Sequence, residues 1–444
     1  MRLFSLVGAA LLAAQFVSAD ALYTGPSDPK LKEFRPVSAP KTSKLLIKPG
    51  DRLAICGDSI TEQKLYSRLM EDYLTVCVPQ YEVTVRQYGW SGERANGFLA
   101  RMTNDCLRFS PTLATTCYGM NDHEYRPYEP RIGEAYRKYS DGILRAFQAN
   151  DVRVIQGSPG PVGKMPSWVK TATGTVHDLN LSLYRLRNIG IELAREDKTG
   201  FADVFWPMFN AGITGQLLYG PDYAIAGKDG VHPGWAGQAV MAYAFLKAMG
   251  LDGKLAEFKV DLKHNRLIPS AGHTVIEQKE GEFVIESTRY PFCACLPDAK
   301  NYPNCGPDDL GRDNTIRSAL TLIPFDADLN RFMLVVKGLK PGKYRVTWGG
   351  EVRSFPSAEL KKGVNLAVAF PSNPFSKAFA RVDEAVAAKQ AYETKQVKEV
   401  FHGAEGKANM EAAVARTEAE RTPLAAAIRT AFVPVRHTLK IEAE

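Results

Sequence analysis

Beyond its N-terminal stretch the chain has no uninterrupted apolar run of the roughly 18 residues that a membrane-spanning helix needs, which argues against an integral membrane protein. It also lacks a basic cluster. The formal net charge is +7, but the 56 Lys and Arg are spread among 49 Asp and Glu, so no footprint for nucleic acid is present. Cysteine is sparse and odd in number, with seven copies. None stands in the Cys-x2-Cys or Cys/His spacing of a structural zinc site, and no metal is expected. Internal repeats and long low-complexity tracts are absent. What remains, 444 residues with 45% hydrophobic and 24% charged side chains, is an ordinary globular composition long enough for two or three domains.

Residues 1–19 read as a secretory signal peptide: Arg2 supplies the basic start, residues 6–16 are mostly apolar, and Val17, Ser18 and Ala19 form a small-residue cleavage site. The mature chain would begin at Asp20 and be exported to the periplasm or the exterior. In such a compartment a loop-stapling disulfide among Cys293, Cys295 and Cys305 is plausible. Cys56 and Cys117 end apolar runs and read as buried small hydrophobes; Cys77 and Cys106 are a further candidate pair.

After an N-terminal extension over 20–49, residues 50–252 alternate short β-rich runs with helical patterns, the signature of βαβ units around a parallel sheet covered on both faces. Strands are expected at 53–56, 83–87, 113–117, 152–156 and 202–205, and helices at 66–76, 95–107, 132–149 and 179–195. A last helix follows Pro233, with Ala236, Val240, Met241, Ala244, Phe245 and Ala248 on one face. This predicts a three-layer α/β/α domain. Residues 253–375 change texture: alternation over 274–287 about Gly281, then runs at 331–336 and 344–348, with turns at Pro341-Gly342 and Gly349-Gly350, predict a small antiparallel β domain. Residues 376–432 are rich in Ala, Glu and Lys and read as two helices broken near 403–406, and 433–444 as a final strand.

Gly57-Asp58-Ser59 follows the first expected strand, at the end where open α/β sheets place their sites. A serine at a strand-to-helix turn exposes its hydroxyl beside free backbone N–H groups, as a nucleophile next to a developing oxyanion requires. Alone, the tripeptide better suits a helix N-cap or turn, and a lone Asp-x-x-His better suits a polar surface loop. The order of four blocks is more specific. Gly57-Asp58-Ser59-Ile60-Thr61-Glu62, Gly89-Trp90-Ser91-Gly92-Glu93-Arg94, Gly119-Met120-Asn121-Asp122 and Asp229-Gly230-Val231-His232-Pro233 resemble, in sequence order and without departure, the four blocks of the SGNH (GDSL-like) hydrolases. The resemblance spans residues 50–250.

It implies a flavodoxin-like α/β/α fold and a cofactor-free serine esterase: Ser59 as nucleophile, His232 as base, Asp229 orienting His232, and an oxyanion hole from the Ser59 and Gly92 backbone N–H groups and the Asn121 amide. Trp90, His123, Arg126 and Trp168 are candidates for substrate contact, with Tyr128 in the same loop as Arg126. The Gly, Pro and Lys-rich loop 157–176 is a candidate lid. Export, a polar and aromatic surrounding and an accessory β region favour a small ester or acetylated glycan as substrate, hence a carbohydrate O-acetylesterase. A lipid esterase, lysophospholipase or thioesterase is the alternative within the class. From another class stands a polysaccharide-binding or envelope module with a vestigial site, against which the intact Ser59, Asn121, Asp229 and His232 argue.

Overall fold

The computed structural model describes residues 33–34, 37–42, 44–294 and 311–444. The expected signal peptide, Cys295 and Cys305 lie outside the described residues. Five runs form one sheet: β1 (Arg52–Gly57), β2 (Thr84–Gln87), β3 (Leu113–Cys117), β4 (Arg153–Gly157) and β5 (Gly200–Ala202). Their order is β2-β1-β3-β4-β5 and every neighbouring pair is parallel. Alternation along the strands divides the core. Leu53, Ile55, Leu113 and Ile155 pack with the helices Tyr66–Asp72 and Trp235–Ala248 on one face. Ala54, Cys56, Ala114 and Val154 pack with Ala95–Asp105 and Pro130–Gln148 on the other. A sheet buried on both sides needs apolar or neutral side chains on both, and all five residues of β3 are buried.

This order determines where chemistry can gather. The connection from β1 runs to one side, to β2, and that from β3 to the other, to β4, which opens a crevice at the carboxyl ends of β1 and β3. The first three sequence blocks emerge there side by side.

Two details differ from expectation. The fifth strand ends at Ala202, not 205, and a helix that periodicity did not reveal, Phe205–Tyr219, begins at once. Ser158 Oγ accepts the Val204 and Phe205 N–H groups at 2.9 and 3.0 Å, which diverts the apolar run from extended backbone into a buried helix; a short apolar run looks the same in either state. Cys77 and Cys106 are both free and sit in separate core clusters, so they do not pair. Cys56 and Cys117 are buried and free.

The C-terminal region is built of two sheets. One is four-stranded, in the order β13 (Val364–Asn365), β10 (Arg331–Lys337), β6 (Lys254–Asp261), β7 (Arg266–Pro269). It is mixed, because β10 pairs with β6 in parallel. The other is antiparallel throughout: β12 (Glu351–Pro356), β11 (Lys343–Trp348), β14 (Val435–Ala443), β9 (Glu282–Ser287), β8 (His273–Lys279). The final strand is therefore the centre of this sheet. The helices between, Ser376–Lys395 and Met410–Ala431, are an excursion from it that lies back against the first domain. Lys389 Nζ bonds the Val85 carbonyl of β2, and Asp383 pairs with Arg68.

Candidate active site

β1 delivers Ser59 to the crevice through a short turn. Asp58 caps the four-residue helix Ser59–Glu62, accepting the Ile60 N–H at 3.0 Å. Burial pushes the Asp58 carboxyl up to about 7 against the pull of that bond. The Ser59 N–H lies in the first turn of this helix, where backbone donors have no acceptor within the helix.

The loop before Trp235–Ala248 supplies the partners. Ser59 Oγ lies 2.8 Å from His232 Nε2, and His232 Nδ1 lies 2.7 Å from Asp229 Oδ2. The other carboxylate oxygen, Oδ1, accepts the Val231 and His232 N–H groups at 2.9 and 2.8 Å. Burial alone would raise the Asp229 carboxyl, but these bonds and the imidazole outweigh it and hold the group below the usual carboxylate range. An ionised carboxylate only accepts. Nδ1 must therefore carry the ring proton, which leaves Nε2 bare to take one from Ser59.

β2 leads into the second block, which passes so close to the first that only glycine fits at 89: a Cβ there would stand 2.2 Å from the Glu62 nitrogen. Of the four backbone N–H groups that follow, Trp90 is tied to the Gly57 carbonyl at 3.0 Å, Ser91 to the Glu62 carboxylate, and Glu93 to the Trp90 carbonyl at 3.1 Å. The Gly92 N–H has no partner among the described residues. Gly92 holds that unpartnered donor at a φ of +75°, with no atom within 4 Å of where a Cβ would stand.

β3 leads into the third block. Asn121 Nδ2 donates to the Glu93 carbonyl at 3.0 Å and Oδ1 accepts the Tyr125 hydroxyl at 3.1 Å, so the orientation of the amide is fixed from both ends. Asp122 binds this block to the second, accepting the Ala95 and Gly119 N–H groups at 3.0 and 2.9 Å. Burial raises its carboxyl to about 6. Beneath lies a charged network: Arg101 makes a fork to Glu93 at 2.6 and 2.7 Å and reaches Asp105 at 3.2 Å, and Tyr118 donates to Glu93 at 3.0 Å.

Of the four candidates for substrate contact, Trp168 stands at the triad. It is 46% exposed and its ring centroid lies 5.7 Å from that of His232. His123 does not: it is fully buried, bonded through Nδ1 to the Met120 carbonyl and packed 4.6 Å under the Tyr125 ring. Burial lowers this imidazole to about 4. Trp90 is half-buried against the His402 ring at 4.9 Å, with the Arg101 guanidinium and Lys398 ammonium over its faces at 5.0 and 5.2 Å. Arg126 pairs with Glu124 and Glu129 at 3.5 and 3.4 Å, and Tyr128 packs under Arg185 at 4.8 Å. The loop 157–176 is stitched down, Gly163 N–H to the Gly230 carbonyl at 2.8 Å and Thr173 N–H to the Tyr125 carbonyl at 3.0 Å, and forms a wall of the site.

Glu62, Glu93, Asp122 and Tyr125 hold the blocks together and are not singled out by the motifs; of these, Asp122 is the short acidic residue whose type invites a backbone-capping role. Among the described residues no group of three or more His, Cys, Asp and Glu side chains is placed to hold a metal ion, and no helix is long and apolar enough to cross a membrane.

Comparison with known proteins agrees with this architecture. Residues 55–240 match the model of the GDSL-like lipase/acylhydrolase family. Among solved structures, a gut microbial diltiazem-metabolizing enzyme superposes with a TM-score of 0.71 at 21% identity, covering 91% of this chain and 99% of its own. That match carries the fold of both regions. Smaller proteins align with about half of the chain: an acetylxylan esterase from Geobacillus stearothermophilus (TM-score 0.37, 21% identity, 46% and 97% covered) and an α/β hydrolase from the metagenome of Lake Arreo, Spain (TM-score 0.37, 21% identity, 47% and 98% covered). No curated protein matches. Residues 55–240 thus belong to the GDSL-like lipase/acylhydrolase family, and the chain is a serine ester hydrolase.

Proposed function

We infer that the protein is an exported esterase in which Ser59, His232 and Asp229 form the catalytic triad, and that it removes acetyl groups from carbohydrate. The observation that carries the triad is the unbroken chain from Ser59 Oγ through both imidazole nitrogens to Asp229, at 2.8 and 2.7 Å. Ser59 Oγ attacks the ester carbonyl carbon as its proton passes to His232 Nε2, and Asp229 stabilises the imidazolium. The carbonyl oxygen, now an anion, is received by the Ser59 and Gly92 N–H groups and by the second Asn121 amide hydrogen. His232 returns the proton to the leaving alcohol as its bond to carbon breaks. Water repeats the sequence on the acyl enzyme, releasing the acid and restoring Ser59.

Fold does not select the ester. The sugar reading rests on Trp168, a half-exposed flat ring beside His232, the side on which the leaving alcohol takes its proton. Aromatic faces of this kind offer apolar area and rigid shape to a pyranose ring. Ser59→Ala should lower kcat by about 10,000-fold or more, and Asn121→Ala by about 100-fold to 1000-fold. Acetate release from acetylated xylan, pectin, mannan and sialic acid substrates, with the Ser59→Ala protein as control, tests the reading. Turnover retained by that control overturns the triad. A nitrophenyl ester series that prefers acyl chains of about eight carbons or more over acetate defeats the acetylesterase reading in favour of a lipid esterase.

A further inference from the structure

The helix Ser376–Lys395 does not end at its last residue. It widens into a π-helical turn, Gln396–Phe401, and stops at His402. Single π-turns are rare and cluster at functional sites, because the extra residue per turn re-aims the side chains around it. Here the turn is anchored by Val397 and Phe401, buried in the same core cluster as Phe98 and Tyr88, with the Phe401 ring stacked 6.2 Å from Phe109. Its polar side chains reach the second sequence block, some 300 residues earlier in the chain, by two routes.

On the first route, Lys398 Nζ binds both oxygens of Glu62 at 2.8 and 2.9 Å, and Glu62 Oε2 accepts the Ser91 N–H, one residue before Gly92. On the second, His402 Nε2 binds Asp105 Oδ2 at 2.8 Å, Asp105 holds Arg101, and Arg101 holds Glu93, one residue after Gly92. Between the two routes, Trp90 is packed by Lys398 and His402 directly. Residues 90, 91 and 93 are all fixed from the C-terminal segment, and the residue left between them is the bare donor.

We propose that Lys398 and His402 are positioning residues for ester hydrolysis: the π-turn clamps the loop Trp90–Glu93 so that the Gly92 N–H points at the developing oxyanion. The proposal rests on the reading of Gly92 as an oxyanion donor. It makes the C-terminal helical segment part of the catalytic unit, although no residue in it touches the substrate. A donor displaced by a fraction of an ångström binds the ground state nearly as well and the transition state less well.

Kinetics on nitrophenyl acetate with the full chain test this. Lys398→Met should lower kcat by about 10-fold, part of the roughly 100-fold that a full misplacement costs. KM should stay within about twofold and the pH profile of kcat/KM should keep its shape, since His232 is untouched. Lys398→Arg, which keeps the charge and the reach to Glu62, should restore most of the rate. His402→Gln, which keeps a donor toward Asp105, should cost less than His402→Ala. A Lys398→Met protein with kcat within twofold of the parent overturns the proposal. So does a variant whose pH profile shifts, because its effect would then lie on His232, or a loss of rate and thermal stability together that Lys398→Arg does not rescue. The underlying reading fails differently, through activity retained in Ser59→Ala or Asn121→Ala.

Discussion

The two halves of the molecule keep their buried ionisable groups by different means. Around the candidate active site most are carboxyls, Asp58, Glu93 and Asp122, held by backbone N–H groups and by Arg101, with the imidazole of His123 beside them. Between the two C-terminal sheets they are imidazoles. Trp348 Nε1 donates to His437 Nδ1 at 3.1 Å, so Nε2 of that ring carries the proton toward Ser287 Oγ at 2.9 Å. The serine hydroxyl then donates to His273 Nδ1 at 2.7 Å, and His273 Nε2 to the Leu255 carbonyl at 3.1 Å. In this chain every donor meets an acceptor only if both rings are neutral. A charged network tolerates burial because its members compensate one another; a neutral relay tolerates it because nothing in it is charged. The first is costly to break by removing one partner, and the second by adding one proton.

The largest effect should follow from breaking the charged side. Arg101→Met keeps the volume of the stem but leaves Glu93 and Asp105 facing each other in the interior, with side chains 6% and 0% exposed. Removing one partner from a buried pair costs about 3–5 kcal/mol. Urea denaturation should show that loss as a lower midpoint at unchanged slope. A loss under about 1 kcal/mol would mean that water or a rearranged His402 replaces the guanidinium, and that the charged half is less committed to its network than its burial implies.

A pH titration sharpens the comparison, because the imidazoles between the C-terminal sheets and the carboxyls Asp58 and Asp122 respond with opposite sign. Burial lowers His273 to about 4 and His437 to about 3. Imidazoles in the unfolded chain titrate near about 6.5. The unfolded state therefore binds more protons between these values, and the stability of the C-terminal sheets is full above about pH 6.5 and falls as pH drops toward about 4. Asp58 and Asp122, raised to about 7 and about 6, behave in reverse: their contribution is full below the unfolded carboxyl value and is lost as pH rises through those values. Global unfolding would mix the two, so amide exchange is the better measure. On going from pH 7 to pH 5, opening free energies for amides of β9 and β14 should fall by about 2 kcal/mol for each imidazole that the opening exposes, and those of β1 and β3 should hold or rise. Parallel changes in both sets would remove the distinction.

What the sequence made legible follows the same division. β1, β2 and β3 carry the first three blocks directly at their ends, so alternation and motif order were enough to place Ser59, Gly92 and Asn121 at the carboxyl ends of neighbouring strands. The limits of β5 were not legible, since Ser158, from a different loop, accepts the N–H groups at the start of the helix that replaces the extended run. Nor was the place of 435–443, a strand whose neighbours in the sheet are more than a hundred and nearly a hundred residues away. The packing of Trp90 and His123 was not legible for one reason: adjacency to a motif residue says nothing about which side of the loop a side chain takes. Lys398 and His402 have no motif at all. Long-range polar contacts leave no local pattern, whereas strand ends do.

The smallest effect tests how finely the carboxyl half orients its donors. Tyr125 holds Asn121 Oδ1 through its hydroxyl at 3.1 Å, and it does so from a left-handed backbone position with φ of 54°, next to Glu124 in the same state. Non-glycine residues there cost about 1 kcal/mol or more each and persist where the surrounding structure over-determines them. Here the restraints are Arg94 and Arg131 on Glu124 and the Thr173 N–H on the Tyr125 carbonyl. Tyr125→Phe removes the single hydroxyl and keeps the ring over His123. The amide then keeps only its bond to the Glu93 carbonyl and is oriented less firmly where the oxyanion forms. A neutral hydrogen bond is worth about 1 kcal/mol, which corresponds to about a fivefold fall in kcat with KM unchanged. In the Asn121→Ala background the same substitution should have no further effect, because the hydroxyl acts only through that amide. An undiminished effect there would place Tyr125 in contact with the substrate itself.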